Sequence, residues 1–237
     1  MDLSNIVRQL LVGLWSAVQL FVLTVACSLP LGMVVCFGRR SEWAPFRNLL
    51  KGRDDAWIKR LRQVKPIQAV FRLFISILRG TPLMLQLMVV YFGPYYIFGL
   101  SLSNYSRLLA ATIAFSVNYS AYFAEIYRSG IQSIPVGQYE AAQVLGYSKS
   151  QTFRKIILPQ MVKRVLPAVT NEVITLVKDT SLAFVIAYQE LFTIAKQIAA
   201  AKTTVMPLFV AGIFYFIFNG VVAWVMDRLE RRLDYYN

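Results

Sequence analysis

Residues 135–159, PVGQYEAAQVLGYSKSQTFRKIILP, form the longest polar segment in the second half of an otherwise apolar chain. Residues 140–145 are mostly good helix formers, and Gly146 can adopt the left-handed conformation that ends a helix. Ala141 and Ala142 are small enough to let another surface approach closely. The sequence therefore predicts a short helix that ends at Gly146 and is suited to a close contact.

A second short helix is predicted directly after the first. Ser148 and Gln151 have the spacing of a capping box, in which each side chain accepts a hydrogen bond from the other residue's backbone N–H. Pro159 lacks a backbone N–H and should interrupt the helix that begins at this capping box. Two helices of this size cannot bury a core, so the segment needs the rest of the chain or a partner beneath it.

Composition places the rest of the chain in a membrane. The 237 residues are 57% hydrophobic and 14% aromatic, which leaves too little polar surface for a soluble domain of this length. Residues 9–38, 80–106, 108–124 and 203–226 contain no charged side chain, and each stretch reaches or approaches the roughly 20 residues that a spanning helix needs. Because irregular backbone cannot face lipid, we expect an all-α polytopic membrane protein.

The chain is predicted to be one transmembrane domain, residues 1–237, with about five spans and two long loops. Pro30 should kink the first span, and Gly80, Thr81 and Pro82 should bend or break the second. Residues 197–204 are predicted to form a polar turn before the last span. The predicted spans are 10–37, 67–98, 105–127, 161–190 and 204–226, and the predicted loops are 39–65 and 130–160.

The distribution of basic residues predicts the orientation of the chain in the membrane. The net charge of +13 would suggest nucleic acid in a soluble protein, but here the basic residues lie beside the spans, so no nucleic-acid partner is expected. In the predicted topology, residues 39–65, 128–164 and 228–232 lie on one side of the membrane and contain eighteen Lys and Arg residues, whereas the segments on the opposite side contain four. The N-terminus is therefore predicted outside, with both loops and the C-terminus in the cytoplasm. For loop 39–65, a solvated loop and a specific binding role both stay open.

The chain lacks the residues for catalysis by itself. It contains no histidine, and its two cysteines, Cys27 and Cys36, lie nine residues apart in the first span, which favours neither a disulfide nor a metal site. The sequence has no phosphate-binding loop of the Gly-x-x-x-x-Gly-Lys-Ser/Thr type. We expect a protein that is not an enzyme and that holds no metal or cofactor.

Three ordered motifs carry a family resemblance that spans nearly the whole chain. Glu-Ala-Ala at 140–142, Gly146, and Ile-x-Leu-Pro at 156–159 resemble the cytoplasmic-loop motif of permease subunits in binding-protein-dependent, ATP-driven (ABC-type) importers. Residues 78–83, LRGTPL, and 176–182, LVKDTSL, are similar to the branch of that family that moves polar amino acids.

The resemblance implies a type I ABC importer permease fold in the bacterial cytoplasmic membrane. It implies a homodimer or a heterodimer with a sister permease, two ATPase subunits that bind ATP and Mg²⁺, and an extracytoplasmic amino-acid-binding protein. The loop residues that would dock on the ATPase are Glu140, Ala141, Ala142, Gly146, Ile156, Leu158 and Pro159.

Charged residues in the fourth span raise the question of a substrate path. Glu172 and Asp179 are seven residues apart and share a helix face, which must point to the bundle interior or to water. Two interpretations are open: the charges stabilise the bundle, or they line the path of an amino acid together with Asn118 and Tyr122. For Arg79, Gly80, Thr81 and Pro82 there are also two interpretations, and a structural kink is preferred to a direct substrate contact.

Two rival functions remain at this point. A secondary amino-acid transporter could use Glu172 or Asp179 as a proton site, but that class usually shows internal repeats, and we find no convincing one. A membrane scaffold without transport is the other alternative. Co-purification of an ATPase subunit would favour the importer over both.

Overall fold

The computed structural model describes residues 3–43, 45, 64–100 and 106–233. Most of the predicted loop 39–65, and residues 101–105 at the junction of the second and third predicted spans, lie outside the described residues. The described chain is helical and holds no strand, so the all-α prediction is confirmed. Its elements are α1 (Leu3–Arg39), α2 (Pro66–Gly80), α3 (Leu83–Phe98), α4 (Arg107–Gln132), α5 (Val136–Val144), α6 (Lys149–Thr152), a π-helical turn (Phe153–Ile157), α7 (Leu158–Asp179), a 3₁₀ segment (Thr180–Ile186), α8 (Leu191–Lys202) and α9 (Met206–Leu233).

Helix α4 forms the centre of the bundle. Fourteen of its residues are buried, and its packing along α1 is the most extensive helix contact among the described residues. Much of the buried surface consists of small or weakly polar side chains such as Ala110, Ala114 and Ser120. Such residues let neighbouring helices approach closely inside a membrane. Helix α4 therefore acts as the packing surface for the helices around it.

The number of spans depends on how bent helices are counted. Among the described residues, α1 and α9 are long and apolar enough to cross a membrane, and the count rises to four if each of two bent helix pairs forms one span. Helix α4 does not qualify, although its 26 residues would extend about 39 Å, because polar residues such as Asn118, Tyr119 and Ser120 lower its mean hydropathy. The five-span topology stays a prediction.

The predicted spans differ from the observed helices at their ends. Helix α1 is longer than span 10–37 and continues through Pro30. Span 67–98 is divided into α2 and α3, which are bent by 108° with respect to each other at Thr81 and Pro82. Helix α9 continues beyond residue 226 to Leu233.

The turn predicted at 197–204 is wrong, because α8 occupies residues 191–202. The Glu190 side chain caps the first turn of α8, and Ala195 and Ile198 bury one face of it against the bundle. The reversal follows α8, where Thr203 has a φ of 49°. Residues 180–190, which were predicted to complete span four, instead form the 3₁₀ segment and the link to α8.

Candidate functional site

The break between α2 and α3 is closed by side-chain hydrogen bonds. The Asn118 amide of α4 donates to the Leu78 carbonyl at 3.2 Å and to Gln86 Oε1 at 2.9 Å. Gln86 Nε2 donates to the same Leu78 carbonyl at 2.9 Å and to the Thr81 carbonyl at 3.1 Å, and the Thr81 hydroxyl donates to the Ile77 carbonyl at 2.8 Å. These bonds satisfy carbonyls that the broken helix leaves without a partner.

Asn118 therefore has a structural role at this break. It is buried, and its amide group donates both to a backbone carbonyl and to the Gln86 side chain. A direct contact with a substrate stays a prediction for Asn118. Sequence reasoning missed Gln86, whose signal was a polar side chain in the apolar run directly after the break.

A polar cluster lies where α4 faces α7. The buried Tyr119 hydroxyl donates to Asp179 Oδ2 at 2.7 Å, and the Tyr119 and Tyr122 rings are 6.1 Å apart. Glu172 lies on the same side of α7 and interacts electrostatically with Asp179. Lys178 is exposed and does not share this face. The structure thus brings Tyr122, Glu172 and Asp179 to one region and adds Tyr119, which sequence reasoning missed.

Arg79 joins this cluster to the helix break. Its guanidinium lies 5.2 Å from the centroid of the Tyr122 ring, within the range of a cation–π contact, and it interacts electrostatically with Glu172. The cluster therefore combines two carboxylates with one guanidinium. Such a set can meet both charges of a zwitterion.

A second ionic group lies nearer the ends of α1 and α4. Glu125 pairs with Arg39 of α1 and accepts from Arg128 Nε at 3.1 Å and from Arg128 Nη2 at 2.9 Å. This group joins the last turn of α1 to α4. The sequence offered no signal for it, because Arg39 and Glu125 are far apart along the chain.

The loop between α4 and α7 begins with α5, which ends in a Schellman motif. Gly146 has a φ of 75°, its N–H donates to the Gln143 carbonyl at 3.0 Å, and the Tyr147 N–H donates to the Ala142 carbonyl at 3.0 Å. Ala142 is fully buried within the chain, whereas Glu140 and Ala141 are exposed. Of the two alanines, only Ala141 is therefore available to a partner on this chain's outer surface.

The second half of the loop is continuous with α7. The Ser148 N–H donates to Gln151 Oε1 at 2.8 Å, and the Gln151 N–H donates to Ser148 Oγ at 3.3 Å, which completes the capping box. The prediction that Pro159 interrupts this helix is wrong. The π-helical turn before it shifts the bonding so that the Leu158 N–H reaches the Phe153 carbonyl, and Pro159 occupies the first turn of α7.

Of the other loop residues predicted to dock on a partner, Ile156 and Leu158 are half-buried and Pro159 is exposed. Ile156 and Leu158 also pack against the core of the bundle. The two halves of the loop therefore differ: α5 presents most of its surface outward, whereas 156–158 also contribute to the fold.

Glu190 is a buried carboxylate that sequence reasoning missed. Its side chain is 0% exposed and accepts four hydrogen bonds of 2.7 to 2.8 Å, from the Phe192 N–H, the Tyr215 hydroxyl, and the N–H and hydroxyl of Thr193. Both oxygens are thus satisfied within the chain. Glu190 joins α8 to α9 and has no direct contact with the cluster around Asp179 among the described residues.

Comparison with known proteins gives the family. Residues 56–235 match the family described as binding-protein-dependent transport system inner membrane component. The arginine transport system permease protein ArtQ of Bacillus subtilis is 33% identical over 237 residues, which cover 98% of this chain and 97% of that protein. The L-cystine transport system permease protein TcyB of the same organism is 36% identical over 181 residues, 76% of each chain. The putative glutamine transport system permease protein GlnP of Rickettsia felis is 35% identical over 162 residues, covering 68% of this chain and 72% of that protein.

Solved structures agree with this fold. A chain from the crystal structure of an amino acid ABC transporter with histidines has a TM-score of 0.78 and 29% identity, and the match covers 98% of this chain and 99% of that one. A chain of the inward-facing MetNI methionine ABC transporter has a TM-score of 0.71 and 20% identity over 98% of this chain and 99% of its own, and supports the fold alone. The predicted type I importer permease fold is confirmed, and the chain belongs to the family of binding-protein-dependent transport system inner membrane components.

Proposed function

We propose that this chain is the transmembrane subunit of an ATP-driven importer for a polar amino acid. The relatives named for arginine, cystine and glutamine transport support an amino-acid substrate. The partners would be a second permease subunit, identical or a sister, two ATPase subunits that bind ATP and Mg²⁺, and an extracytoplasmic amino-acid-binding protein. The assembly would lie in a bacterial cytoplasmic membrane, with loop 130–160 on the cytoplasmic side as the charge distribution predicts.

The observation that carries the proposal is the unpaired apolar surface of the loop. Val144 is 88% exposed, Leu145 is 72% exposed and Val136 is 69% exposed, beside the exposed Glu140 and Ala141. Large apolar side chains exposed on a polar loop favour a contact with another protein. The Schellman motif and the buried Ala142 hold this surface in one conformation, as docking on an ATPase groove would require.

The connection from the loop to the polar cluster explains how ATP hydrolysis could be coupled to transport. The chain is helical without a gap from Lys149 of α6 to Ile186 at the end of the 3₁₀ segment. Glu172 and Asp179 lie on this continuous path. A displacement of the loop by closing ATPase subunits would therefore move the helix that carries both carboxylates, which is a route to switching between two packings of the bundle.

The substrate path is proposed to pass the cluster of Tyr122, Glu172 and Asp179. An amino acid is zwitterionic and needs both acceptors and donors where water is scarce. The carboxylates would receive the ammonium group, and Asn118 would support the wall of the path by holding the α2–α3 break. The chain would thus bind and move the substrate without catalysing a reaction.

The coupling surface is tested with Ala141→Trp, which places a large ring at an exposed position of α5 without altering the buried Ala142. The matched control is Ala201→Trp, at an exposed alanine near the end of α8. We expect both variants to reach the membrane at normal levels, and only Ala141→Trp to lose the co-purifying ATPase and amino-acid uptake. Retained ATPase binding and uptake in Ala141→Trp would show that α5 is not the coupling element.

A further inference from the structure

A cavity of about 810 Å³ lies where the end of α1 meets the loop that carries α5 and α6. Its lining includes Phe37 and Arg40 from the end of α1, Tyr139 and Gln143 from α5, and Lys149 from the start of α6. Among the described residues, α5 packs chiefly on α6 and on the π-helical turn, and the cavity lies between α5 and α1. We name this space the α1–α5 cavity.

The walls of the α1–α5 cavity carry more positive than negative charge. Arg40 and Lys149 line it, and the Lys155 ammonium lies 5.8 Å from the centroid of the Tyr147 ring, which also lines it. Glu42 supplies one negative charge to the lining. In the part of the chain that the structure describes, no carboxylate lies within ion-pair distance of Arg40 or Lys149. Because Arg and Lys side chains are charged at physiological pH, the cavity favours an anionic ligand.

Neutral hydrogen-bond donors belong to the same cavity lining. Tyr139, Gln143 and Tyr147 line the cavity, and within the described residues their side chains make no hydrogen bond. Phenol hydroxyls and amide groups can donate to an oxyanion, as charged side chains do. A phosphate group presents several acceptor oxygens and can use cationic and neutral donors together. The set of donors in the α1–α5 cavity therefore suits a phosphate.

The apolar side of the cavity continues onto the outer surface of α1. Phe37 lines the cavity, and it is also the last member of an exposed stripe formed by Leu23, Cys27, Val34 and Phe37. These four residues fall within about 80° of each other around the helix axis. Helix α1 is long and apolar enough to cross a membrane, and its end borders the cavity, so the cavity lies at the boundary between membrane and water. A lipid can therefore place its headgroup in the cavity while its acyl chains lie along the stripe.

We propose that the α1–α5 cavity binds the headgroup of an anionic phospholipid, with Arg40 and Lys149 as the ligands of its phosphate and the exposed stripe of α1 beside its acyl chains. Basic pockets between helices at the membrane surface are known to hold such headgroups. A soluble phosphate compound offers the same charge but has no chains for the stripe. Because Arg40 follows α1 and Lys149 begins α6, the bound lipid would join the first helix to the loop. The anionic lipid content of the membrane would then influence how firmly the loop is held.

The lipid site is distinct from the surface proposed to dock on the ATPase. Tyr139 and Gln143 are four residues apart and lie on one side of α5, whereas Ala141 lies about 160° from each of them around the helix axis. A lipid in the cavity and an ATPase at Ala141 can therefore be bound at the same time. Each contact can be removed without altering the other.

The test titrates phosphatidylglycerol, or phosphatidylcholine as the lipid without net charge, into the purified complex of the chain with its ATPase in detergent. Native mass spectrometry counts the lipid molecules that stay bound. Wild type should hold one phosphatidylglycerol about ten-fold or more tightly than phosphatidylcholine, as expected for charge-assisted hydrogen bonds. Arg40→Gln combined with Lys149→Gln should remove this preference. The matched control, Arg231→Gln combined with Arg232→Gln, removes two charges from the exposed end of α9 and should retain it.

Three results would overturn the proposal. The first is an equal affinity of wild type for the two lipids. The second is a preference that the Arg40 and Lys149 double variant retains, or that the control loses to the same extent. The third is displacement of phosphatidylglycerol by a similar concentration of glycerophosphoglycerol, the same headgroup without acyl chains, which would assign the cavity to a soluble anion.

A double variant that does not assemble is replaced by Lys149→Gln alone, at an exposed position, which should weaken the preference. An unchanged preference in that variant contradicts the proposal as well. Because Ala141 lies on the other side of α5, each of these results leaves the proposed ATPase contact standing.

Discussion

Replacing Gly32 with alanine tests the close contact between α1 and α4, on which the rest of the bundle is built. A Cβ at residue 32 would lie 2.7 Å from Phe123 Cβ and 3.2 Å from the Ser120 carbonyl oxygen. Ordinary contact begins at about 3.4 Å, so the two helices would have to separate by about 0.7 Å at this point. Phe123 and Ser120 are both fully buried, so neither can move without α4.

The expected change in the free energy of unfolding of Gly32→Ala follows from two opposing effects. Overpacking a tight contact destabilises a protein by about 1–3 kcal/mol. Replacing glycine by alanine in a helix stabilises it by up to about 1 kcal/mol. Gly212→Ala in α9 has the second effect alone, because nothing lies within 4 Å of a Cβ there. The free energy of unfolding of Gly32→Ala should therefore be about 1–3 kcal/mol lower than that of Gly212→Ala.

The measurement is reversible unfolding of the detergent-solubilised chain by titration with a denaturing detergent, followed by tryptophan fluorescence. Using Gly212→Ala as the reference cancels the effect of helix propensity and leaves the steric contribution. Equal stability of the two variants would mean that α1 and α4 are farther apart than the structure shows. The assignment of α4 as the centre of the bundle would then be wrong.

Three further substitutions separate structural from functional polar residues. Asp179→Asn keeps an oxygen that can accept from Tyr119 but removes the charge, so uptake should fall sharply while size-exclusion chromatography shows an assembled complex; failure to assemble would favour a structural role. Asn118→Leu removes both amide bonds at the α2–α3 break and should lower the free energy of unfolding by about 1–2 kcal/mol in the same titration, and an unchanged value would contradict its role there. Glu190→Gln leaves at least one buried donor without an acceptor and should lower the free energy of unfolding by about 2 kcal/mol in the same titration. An unchanged free energy of unfolding would show that the carboxylate is not required.

Features that depend on neighbouring residues could be predicted from the sequence. The end of α5 at Gly146 and the capping box of Ser148 and Gln151 are specified by residues within a few positions of each other. The break at Gly80–Pro82 has the same local origin. Helical spacing also placed Glu172 and Asp179 on one face, because 3.6 residues per turn brings positions seven apart into line.

Features that depend on distant residues could not be predicted. The helix through Pro159 needs the π-helical turn, and nothing in the motif indicates that turn. Residues 197–202 of α8 were interpreted as part of a turn because this end of the helix is polar, whereas Glu190 caps α8 and the helix packs against α1. Gly13 of α1 lies so close to α8 that a Cβ there would be 2.8 Å from the Leu191 Cα. Contacts of this kind join residues that the sequence separates by well over a hundred positions.

The polar residues of this bundle can be sorted by whether the chain itself provides their hydrogen-bond partners. A polar group buried in a membrane protein needs a partner, and the chain itself provides partners for Asn118 and Glu190. Among the described residues, the side chains of Arg79 and Glu172 have no hydrogen-bond partner, although both lie in the cluster with Asp179. Groups whose donor or acceptor capacity is used within the chain, such as the Asn118 amide and both oxygens of Glu190, stabilise the fold, because a ligand would have to break those bonds. We expect a zwitterionic substrate to use Arg79, Glu172 and Asp179, because these three side chains carry both of the charges that it requires.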